Sequence, residues 1–366
     1  MRIGIIAPPW IPVPPPAYGG TESVIDGIAT GLADLGHEVV LVAAPGSTCR
    51  VEVISTSRKP TSRQIGDLSI EHHHIRRAYA ALRSAAVEVI HDHTLLGPPF
   101  GTRVSGVPIV TTVHGPFDRD MLARYRSMPP EVRIVAISEH QASTAAGVNI
   151  DRVIHHGIDY RSISPGDGSG GYLAFLGRMT PSKGVREAIA VAREAGVPLK
   201  IAAKMREPAE HEFFQKQVAP LLGEDCEYLG ELSREEKFGL LRSASALLNP
   251  IQWDEPFGMV MIEAMATGTP VIGTPRGAAS EIVEDGVSGF LKLSLSELAA
   301  AVSQVGQLDR QVVRDRVVQR FSQDRLAQDY ADFFIDVLAD RSPSRRQSVH
   351  DGLAGEPVDD GYDVAG

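Results

Sequence analysis

Two features of the 366-residue sequence predict an α/β fold with two doubly wound domains. Short apolar runs alternate with segments whose apolar residues recur at helical spacing, as expected for right-handed βαβ units around a parallel sheet. This pattern restarts after a glycine-rich stretch at residues 166–171. Because a single hydrophobic core rarely grows beyond ~250–300 residues, the length also favours two cores.

The first predicted domain spans residues 1–160 and opens with an apolar run at 3–7, which is typical of a buried parallel strand. A proline-rich loop follows, and a helix is predicted over residues 22–35, ended by Gly36. Further strands are predicted at residues 38–43, 87–90, 108–113 and 132–137.

The second predicted domain spans residues 161–319 and repeats the arrangement. Its predicted strands and helices are strands 172–176, 199–203, 246–248 and 270–272 and helices 185–195 and 233–243. A terminal helix is predicted at residues 320–338, within a C-terminal segment 320–340. Residues 341–366 are rich in Ser, Arg, Asp and Gly, which predicts a disordered tail.

The composition argues against several classes of protein. A formal net charge of −10 leaves no basic surplus to neutralise phosphates, so nucleic-acid binding is not expected. Cys49 and Cys226 fall in different predicted domains, which argues against a disulfide framework. No apolar run approaches the ~18 residues of a membrane span, and the N-terminus lacks a signal-peptide pattern. We therefore expect a cytoplasmic protein without stable membrane insertion.

The most specific local pattern lies within residues 253–286, where an acidic loop leads into a helix and then a buried strand. The free N–H groups at the helix start, together with the helix dipole, would suit a diphosphate. These groups belong to Gly258, Met259 and Val260. Glu255 and Glu263 are carboxylates suited to vicinal sugar hydroxyls. Spacing alone leaves open that Glu255 is only an anion at a helix start and Glu263 a surface residue.

Two further motifs could contact an anion. Arg178 and Lys183 lie in a loop between a predicted strand and helix, where both could reach one phosphate or could be solvated cations. Gly19 and Gly20 precede a helix, where they either admit a ligand close to the backbone or form a plain turn capped by Thr21. The G-x-G-x-x-G fingerprint is absent after the first strand, which argues against a dehydrogenase.

The twelve histidines invite a metal-site hypothesis. His91 and His93 alternate at a strand end, but no second ligand set has the spacing of a zinc site, so polar residues at a strand end are the favoured interpretation. His114 lies at the carboxyl end of a predicted strand, where open α/β sheets bind ligands. We expect His114 in the active site, although a structural role for it remains open.

Together these motifs resemble those of glycosyltransferase family 4, which has the GT-B fold, over nearly the whole chain up to about residue 338. The specific matches are Glu255 and Glu263 with seven residues between them, the following stretch 264–272, and the pattern at 177–184. The resemblance implies two Rossmann-like domains facing across a cleft, with the acceptor on the N-terminal side and the nucleotide sugar on the C-terminal side. It also implies that the terminal helix packs back across the domains.

The resemblance further implies roles for individual residues. Glu255 would contact hydroxyls of the transferred hexose and Glu263 the ribose hydroxyls. Arg178 and Lys183 would neutralise the leaving diphosphate, as a metal often does. His114 would lie beside the reacting carbon without acting as a general base. The remaining residues assigned to nucleotide binding are Gly19, Gly20, Phe257, Gly258, Met259 and Val260.

Three positions depart from the family pattern or fit it loosely. Gly277-Ala278 stands where two glycines are common, and His156 stands where an Asn is usual. Glu281 is either a structural cap or a contact to the nucleotide sugar.

The implied activity is a retaining transfer of a hexose from a nucleoside diphosphate sugar to a hydroxyl of a small-molecule or glycan acceptor. UDP-glucose is the expected substrate by family frequency, and neither a metal nor another cofactor is expected. The alternatives are a sugar-nucleotide epimerase of the same fold and a non-catalytic module that binds nucleotide sugars. A phosphorylase would need a pyridoxal phosphate lysine, for which the sequence offers no convincing candidate. The oligomeric state is left open.

Overall fold

The computed structural model of the protein describes residues 1–16, 19–58 and 64–340. Within these ranges the chain forms two parallel β-sheets, and buried apolar clusters lie on both faces of each sheet. This confirms the predicted fold class of two Rossmann-like, doubly wound domains. The predicted tail at 341–366 lies outside the described residues.

The strands of the first sheet are β1 (Arg2–Ile6), β2 (Glu38–Ala43), β3 (Glu52–Ser55), β4 (Val89–Asp92), β5 (Ile109–Thr112), β6 (Val132–Ala136) and β7 (Arg152–Val153). Their spatial order is β3-β2-β1-β4-β5-β6-β7. The helices between them are α1 (Gly20–Asp34), α2 (Leu68–Ser84), α3 (Gly97–Val104), α4 (Arg119–Arg126) and α5 (Glu139–Ser143). The winding reverses between β1 and β4, so the segments that follow these strands separate and leave a crevice at their carboxyl ends.

The strands of the second sheet are β8 (Leu173–Arg178), β9 (Leu199–Lys204), β10 (Cys226–Gly230), β11 (Ala246–Asn249), β12 (Val271–Gly273) and β13 (Gly289–Leu291). Their order is β10-β9-β8-β11-β12-β13, which reverses between β8 and β11. The helices are α6 (Val185–Ala195), α7 (Pro208–Phe213), α8 (Arg234–Ser243), α9 (Met259–Ala266), α10 (Ala279–Ile282), α11 (Leu295–Val302) and α12 (Arg310–Arg320). This sheet therefore has its own crevice at its carboxyl edge.

The interior strands occur where the apolar runs predict them, whereas the edge strands of the described sheets were missed. These missed strands are β3, β7, β10 and β13. An interior strand is covered on both faces and needs a continuous apolar run, as in β1, where Ile3, Ile5 and Ile6 are fully buried. An edge strand such as β3 has only exposed and partly buried residues and carries no such signal.

The C-terminal helix α13 (Gln323–Ala339) returns to the first sheet. Leu326, Tyr330 and Phe334 are fully buried in the same apolar cluster as residues of β1 and α1. The predicted start at Arg320 is wrong, because Arg320 ends α12 and Ser322 caps α13 through a hydrogen bond from the N–H of Arg325. Among the described helices, none has the length and apolar character needed to cross a membrane.

Candidate functional site

A cleft of about 1500 Å³ lies between the carboxyl edges of the two sheets. Loops and helix starts from both sheets line it, as expected for switch points of open parallel sheets. The residues predicted from the sequence that line this cleft are Gly19, Gly20, His114, Lys183, Glu255, Phe257, Gly258, Met259, Val260 and Glu263. Arg178 is the exception among the predicted residues.

Helix α9 begins on the cleft wall immediately after Gly258. The φ angle of Gly258 is +102°, in the left-handed region that other residues rarely adopt. A Cβ there would also displace the Cε methyl of Met261. The first helical hydrogen bond runs from the N–H of Met261 to the carbonyl of Gly258, so the N–H groups of Met259 and Val260 precede it and face no helical partner.

Helix α1 begins on the opposite wall, at Gly20. A Cβ added to Gly20 would lie 4.0 Å from Cγ of Met259, so the starts of α1 and α9 face each other across the cleft. Gly19 takes the N-cap position of α1 without a side-chain bond, which leaves no role for Thr21 as the cap. Two opposed helix N-termini make the space between them favourable for an anion.

Lys183 and Glu255 form an ion pair on the wall that carries the start of α9. The Lys183 ammonium donates to the Glu255 carboxylate, and the two side chains are 18% and 15% exposed. Trp253 Nε1 also donates to Glu255, at 3.2 Å, and its ring centroid lies 5.2 Å from Lys183 Nζ. The pair thus places a hydrogen-bond acceptor for sugar hydroxyls next to a cation for phosphate.

Glu263 has a partner that the sequence reasoning missed. Lys237, on α8, donates to its carboxylate at 2.6 Å, and both side chains line the cleft. The capping pattern at Ser233 marks the start of α8 in the sequence, but nothing in the spacing of Lys237 and Glu263 indicates that their two helices pack side by side.

Arg178 lies at the end of β8, and its guanidinium is bound by two carboxylates. Its guanidinium donates to Glu210 at 2.8 Å and to Glu207 at 2.6 Å. Glu210 is buried, and an arginine beside a buried carboxylate is held by charge-assisted hydrogen bonds. The phosphate role of Arg178 stays a prediction, and the observed pairing does not favour it.

Four histidine rings form a connected cluster at the N-terminal side of the cleft. His93 Nδ1 and His114 Nε2 share a hydrogen bond of 2.8 Å, and the rings of His114 and His156 stack with centroids 5.4 Å apart. The His91 ring lies 4.0 Å from that of His93. His91 and His93 lie at the end of β4, as the sequence predicts. The prediction did not include their connection to His114.

These four imidazoles are uncharged at neutral pH. Burial lowers the pKa of His91 to about 3 and that of His114 to about 4. Burial, and then the neighbouring imidazoles, lower the pKa values of His93 and His156 well below the ordinary histidine value. In the described part of the chain, no group of three His, Cys, Asp or Glu side chains is placed to hold a metal ion.

Glu281, in the domain of the second sheet, accepts three hydrogen bonds from the domain of the first sheet, and these bonds form the Glu281 clasp. Its carboxylate accepts hydrogen bonds from the backbone N–H groups of Glu139 and His140, at 2.9 and 2.7 Å, and from His155 Nε2 at 2.7 Å. Of the two roles left open for Glu281, the structure shows the cap, because the first two donors are at the start of helix α5.

The departure at Gly277-Ala278 is compatible with the fold. Gly277 has a φ of +60°, and a side chain there would collide with the backbone at Glu255. Ala278 needs no such freedom, and its N–H donates to the Glu255 carbonyl at 2.9 Å. His156 keeps a polar ring on the cleft, between His114 and Phe257.

Comparison with known proteins gives a consistent assignment for both halves. The family model described as Glycosyltransferase Family 4 matches residues 18–161, and that described as Glycosyl transferases group 1 matches residues 159–311. A phosphatidyl-myo-inositol mannosyltransferase of Mycobacterium leprae is 27% identical over 347 residues, covering 87% of this chain and 90% of that protein. A glycogen synthase of Mycobacterium tuberculosis is 27% identical, covering 87% and 89% of the two chains.

Solved structures show the same architecture. A glycosyltransferase involved in avilamycin A biosynthesis is 26% identical with a TM-score of 0.69, covering 92% of this chain and 98% of that chain. An Anabaena protein solved in complex with UDP and glucose superposes with a TM-score of 0.71 at 19% identity, over 91% and 99% of the chains, which supports the fold alone.

Proposed function

The chain belongs to glycosyltransferase family 4, and on that premise we propose that it is a retaining hexosyltransferase that uses a nucleoside diphosphate sugar. Its acceptor is a hydroxyl group of a small molecule or glycan. The observation that carries the proposal is the opposition of two helix starts, α1 and α9, across a cleft that also holds the pair of Lys183 and Glu255.

In this arrangement, three groups of residues bind the three parts of the nucleotide sugar. The diphosphate lies between the starts of α1 and α9, where Met259 and Val260 supply N–H donors. Glu263, held by Lys237, accepts from the ribose hydroxyls. Glu255 accepts from the hexose, and Lys183 then moves from Glu255 towards the phosphate. Lys183 and Glu255 therefore take up these roles only when the nucleotide sugar is bound.

The chemistry consists of breaking the bond between the anomeric carbon and the β-phosphate oxygen while the acceptor oxygen bonds to that carbon on the face from which the phosphate departs. Negative charge develops on the leaving phosphate oxygen, and the proton of the acceptor hydroxyl is transferred to that oxygen. Preorganised N–H groups and Lys183 stabilise that charge. The neutral imidazole of His114 offers a hydrogen bond near the hexose without adding a competing charge.

The identity of the hexose is best tested with two candidates. UDP-glucose follows from family frequency, and the Anabaena structure contains UDP and glucose. A mannosyl group is named for the Mycobacterium leprae relative, so GDP-mannose belongs in the same panel. D-inositol 3-phosphate glycosyltransferases among the relatives make inositol phosphates useful acceptors to test.

The proposed experiment measures nucleoside diphosphate release from each sugar nucleotide, with and without a panel of hydroxyl acceptors, followed by NMR of the product's anomeric proton. We expect release that depends on an acceptor and a product with the anomeric configuration of the substrate. An inverted product would overturn the retaining mechanism. Conversion of the sugar nucleotide without release of the nucleoside diphosphate would instead support an epimerase.

A further inference from the structure

A buried series of polar side chains connects the C-terminal helix to the cleft. The Tyr330 hydroxyl lies 2.7 Å from Thr112 Oγ1, and that oxygen lies 2.8 Å from His91 Nε2. His91 packs against His93, which is hydrogen-bonded to His114. Helix α13 thereby contacts the end of β5, two residues before His114, through side chains that are almost completely buried.

The bond between His93 and His114 makes the two protonation patterns interdependent. If Nδ1 of His93 carries its proton, it donates to His114 Nε2, and the proton of neutral His114 must then be on Nδ1. If instead Nε2 of His114 donates, then Nδ1 of His114 is a bare acceptor and His93 carries its proton on Nε2. The pair therefore has two uncharged arrangements, which present opposite hydrogen-bonding character at His114 Nδ1.

This arrangement is costly for a purely structural core. Among the described residues, Nε2 of His93 and Nδ1 of His114 have no hydrogen-bond partner, although both atoms are buried. A buried polar atom without a partner destabilises a fold, and apolar side chains at both positions would avoid that cost. A ligand that bonds to His114 Nδ1 would satisfy one of the two atoms.

We propose that His93 is a positioning residue that fixes the ring orientation of His114 and lets His114 either donate to or accept from a hydroxyl of the bound hexose. This inference rests on the proposed function, because it assigns His114 to the sugar part of the nucleotide sugar. The nucleoside and the diphosphate are held by other residues, chiefly Glu263 and the start of α9. His93 therefore acts on binding of the sugar and not on binding of the nucleotide.

The test compares His93→Phe with His93→Asn. Phenylalanine keeps the ring packing against His91 but removes the hydrogen bond. The asparagine amide occupies the position of Nδ1 and can donate or accept, so it is the conservative variant. The matched control is His74→Phe, since His74 is also buried, with bonds to Thr56 at 2.6 Å and to the Ala7 carbonyl at 2.9 Å, but lies outside the cluster.

Calorimetric titration of the full chain should use UDP, UDP-glucose, GDP and GDP-mannose. For the sugar nucleotide that the wild-type protein binds, His93→Phe should weaken binding by about tenfold. The substitution leaves the buried Nε2 of His114 without a hydrogen-bond partner. Binding of the matching nucleoside diphosphate should change less than ~twofold, because His93 does not act on the nucleotide. His93→Asn should restore most of the loss, and His74→Phe should lower thermal stability without this split.

A double-mutant cycle completes the test. Because His93 acts through His114, His93→Phe should add almost nothing to the loss caused by His114→Phe. Additive losses, equal losses for nucleotide and sugar nucleotide, or unchanged binding in His93→Phe would overturn the inference while leaving the proposed function intact. Failure of the wild-type protein to bind any sugar nucleotide would overturn the proposed function and the inference with it.

Discussion

Lys237 and Glu263 form a 2.6 Å ion pair that joins helix α8 to helix α9 on the wall of the cleft. Their side chains are 26% and 13% exposed, so the Glu263 carboxylate is oriented by a partner that is itself largely buried. A carboxylate fixed in this way needs little reordering to accept two ribose hydroxyls. The pair therefore gives Glu263 a defined orientation that the sequence motif alone does not supply.

Replacing Lys237 with methionine should weaken nucleoside diphosphate binding by about tenfold, because Glu263 loses the partner that orients it and its charge-assisted hydrogen bond. Isothermal titration with UDP and GDP measures the change. Lys216→Met is the control, since Lys216 pairs with Glu212 on an exposed helix surface. Equal affinities for wild type and Lys237→Met would show that Glu263 does not bind the ribose through this arrangement.

Gly258→Ala should lower the free energy of unfolding by ~1–3 kcal/mol through its left-handed backbone, and it should also abolish measurable diphosphate binding. The start of α9 would shift, because alanine disfavours the φ of +102° at this position and its Cβ would displace the buried Cε methyl of Met261. Gly286→Ala is the matched control: its φ is +78°, and no atom lies near its added Cβ. Both variants should lose stability in denaturant titrations, but only Gly258→Ala should lose nucleotide binding. Retained binding in Gly258→Ala would contradict the assignment of α9.

Glu281→Gln should lower the thermal midpoint without affecting nucleotide binding. Burial raises the pKa of Glu281, but hydrogen bonds from His155 and from two backbone amides outweigh it and hold the pKa below the ordinary value. The carboxylate therefore contributes stability above the pKa of an unfolded glutamate, and this contribution is lost as the pH falls through the folded pKa.

The difference in thermal midpoint between wild type and Glu281→Gln should accordingly be largest at neutral pH and shrink as the pH falls below 4.5, the ordinary pKa of a glutamate. Glu284→Gln serves as the control, because Glu284 pairs with Arg316 in a more exposed position. A difference that is the same at pH 7 and pH 4 would argue that the clasp does not depend on the charge of Glu281.

The histidine cluster predicts a loss of stability in mild acid. The folded pKa values of His93, His114 and His156 lie below the ordinary value of about 6.5, so the unfolded chain binds protons first as the pH falls. Stability is fully present above about pH 6.5 and declines towards pH 4, the pKa of His114.

His156→Asn should show a shallower decline of the thermal midpoint between pH 7 and pH 5, because one buried neutral imidazole is removed. Burial is the main cause that disfavours protonation of His156, and the neighbouring His114, Arg325 and His155 add to it. Superimposable pH profiles for the wild type and the variant would exclude His156 as a contributor.

The local signals in the sequence predicted the interior strands and the helix-start glycines, because both depend on short-range patterns. A strand such as β1 must be continuously apolar, and Gly258 stands at a position where its own backbone angle requires glycine. The partners of the site side chains could not be predicted in this way. Lys237 reaches Glu263 from another helix, and His93 meets His114 only because β4 and β5 lie side by side.

Arg178 is a second case in which a local motif does not predict the partners of a side chain. Its position in the motif predicts a phosphate contact, but the residues that compete for its guanidinium, Glu207 and Glu210, come from a later loop and helix. No pattern around Arg178 reveals them. The roles of side chains at the cleft thus depend on long-range packing, which a motif does not encode.

The most direct test of the central claim is calorimetric titration of the preferred sugar nucleotide into wild type, Lys183→Met and Glu255→Gln. The claim is that the cleft holds the hexose at Glu255 and the diphosphate near Lys183 and α9. We predict that Glu255→Gln weakens binding of the sugar nucleotide but not of the nucleoside diphosphate, whereas Lys183→Met weakens both. Wild-type affinity for both ligands in both variants would contradict the account.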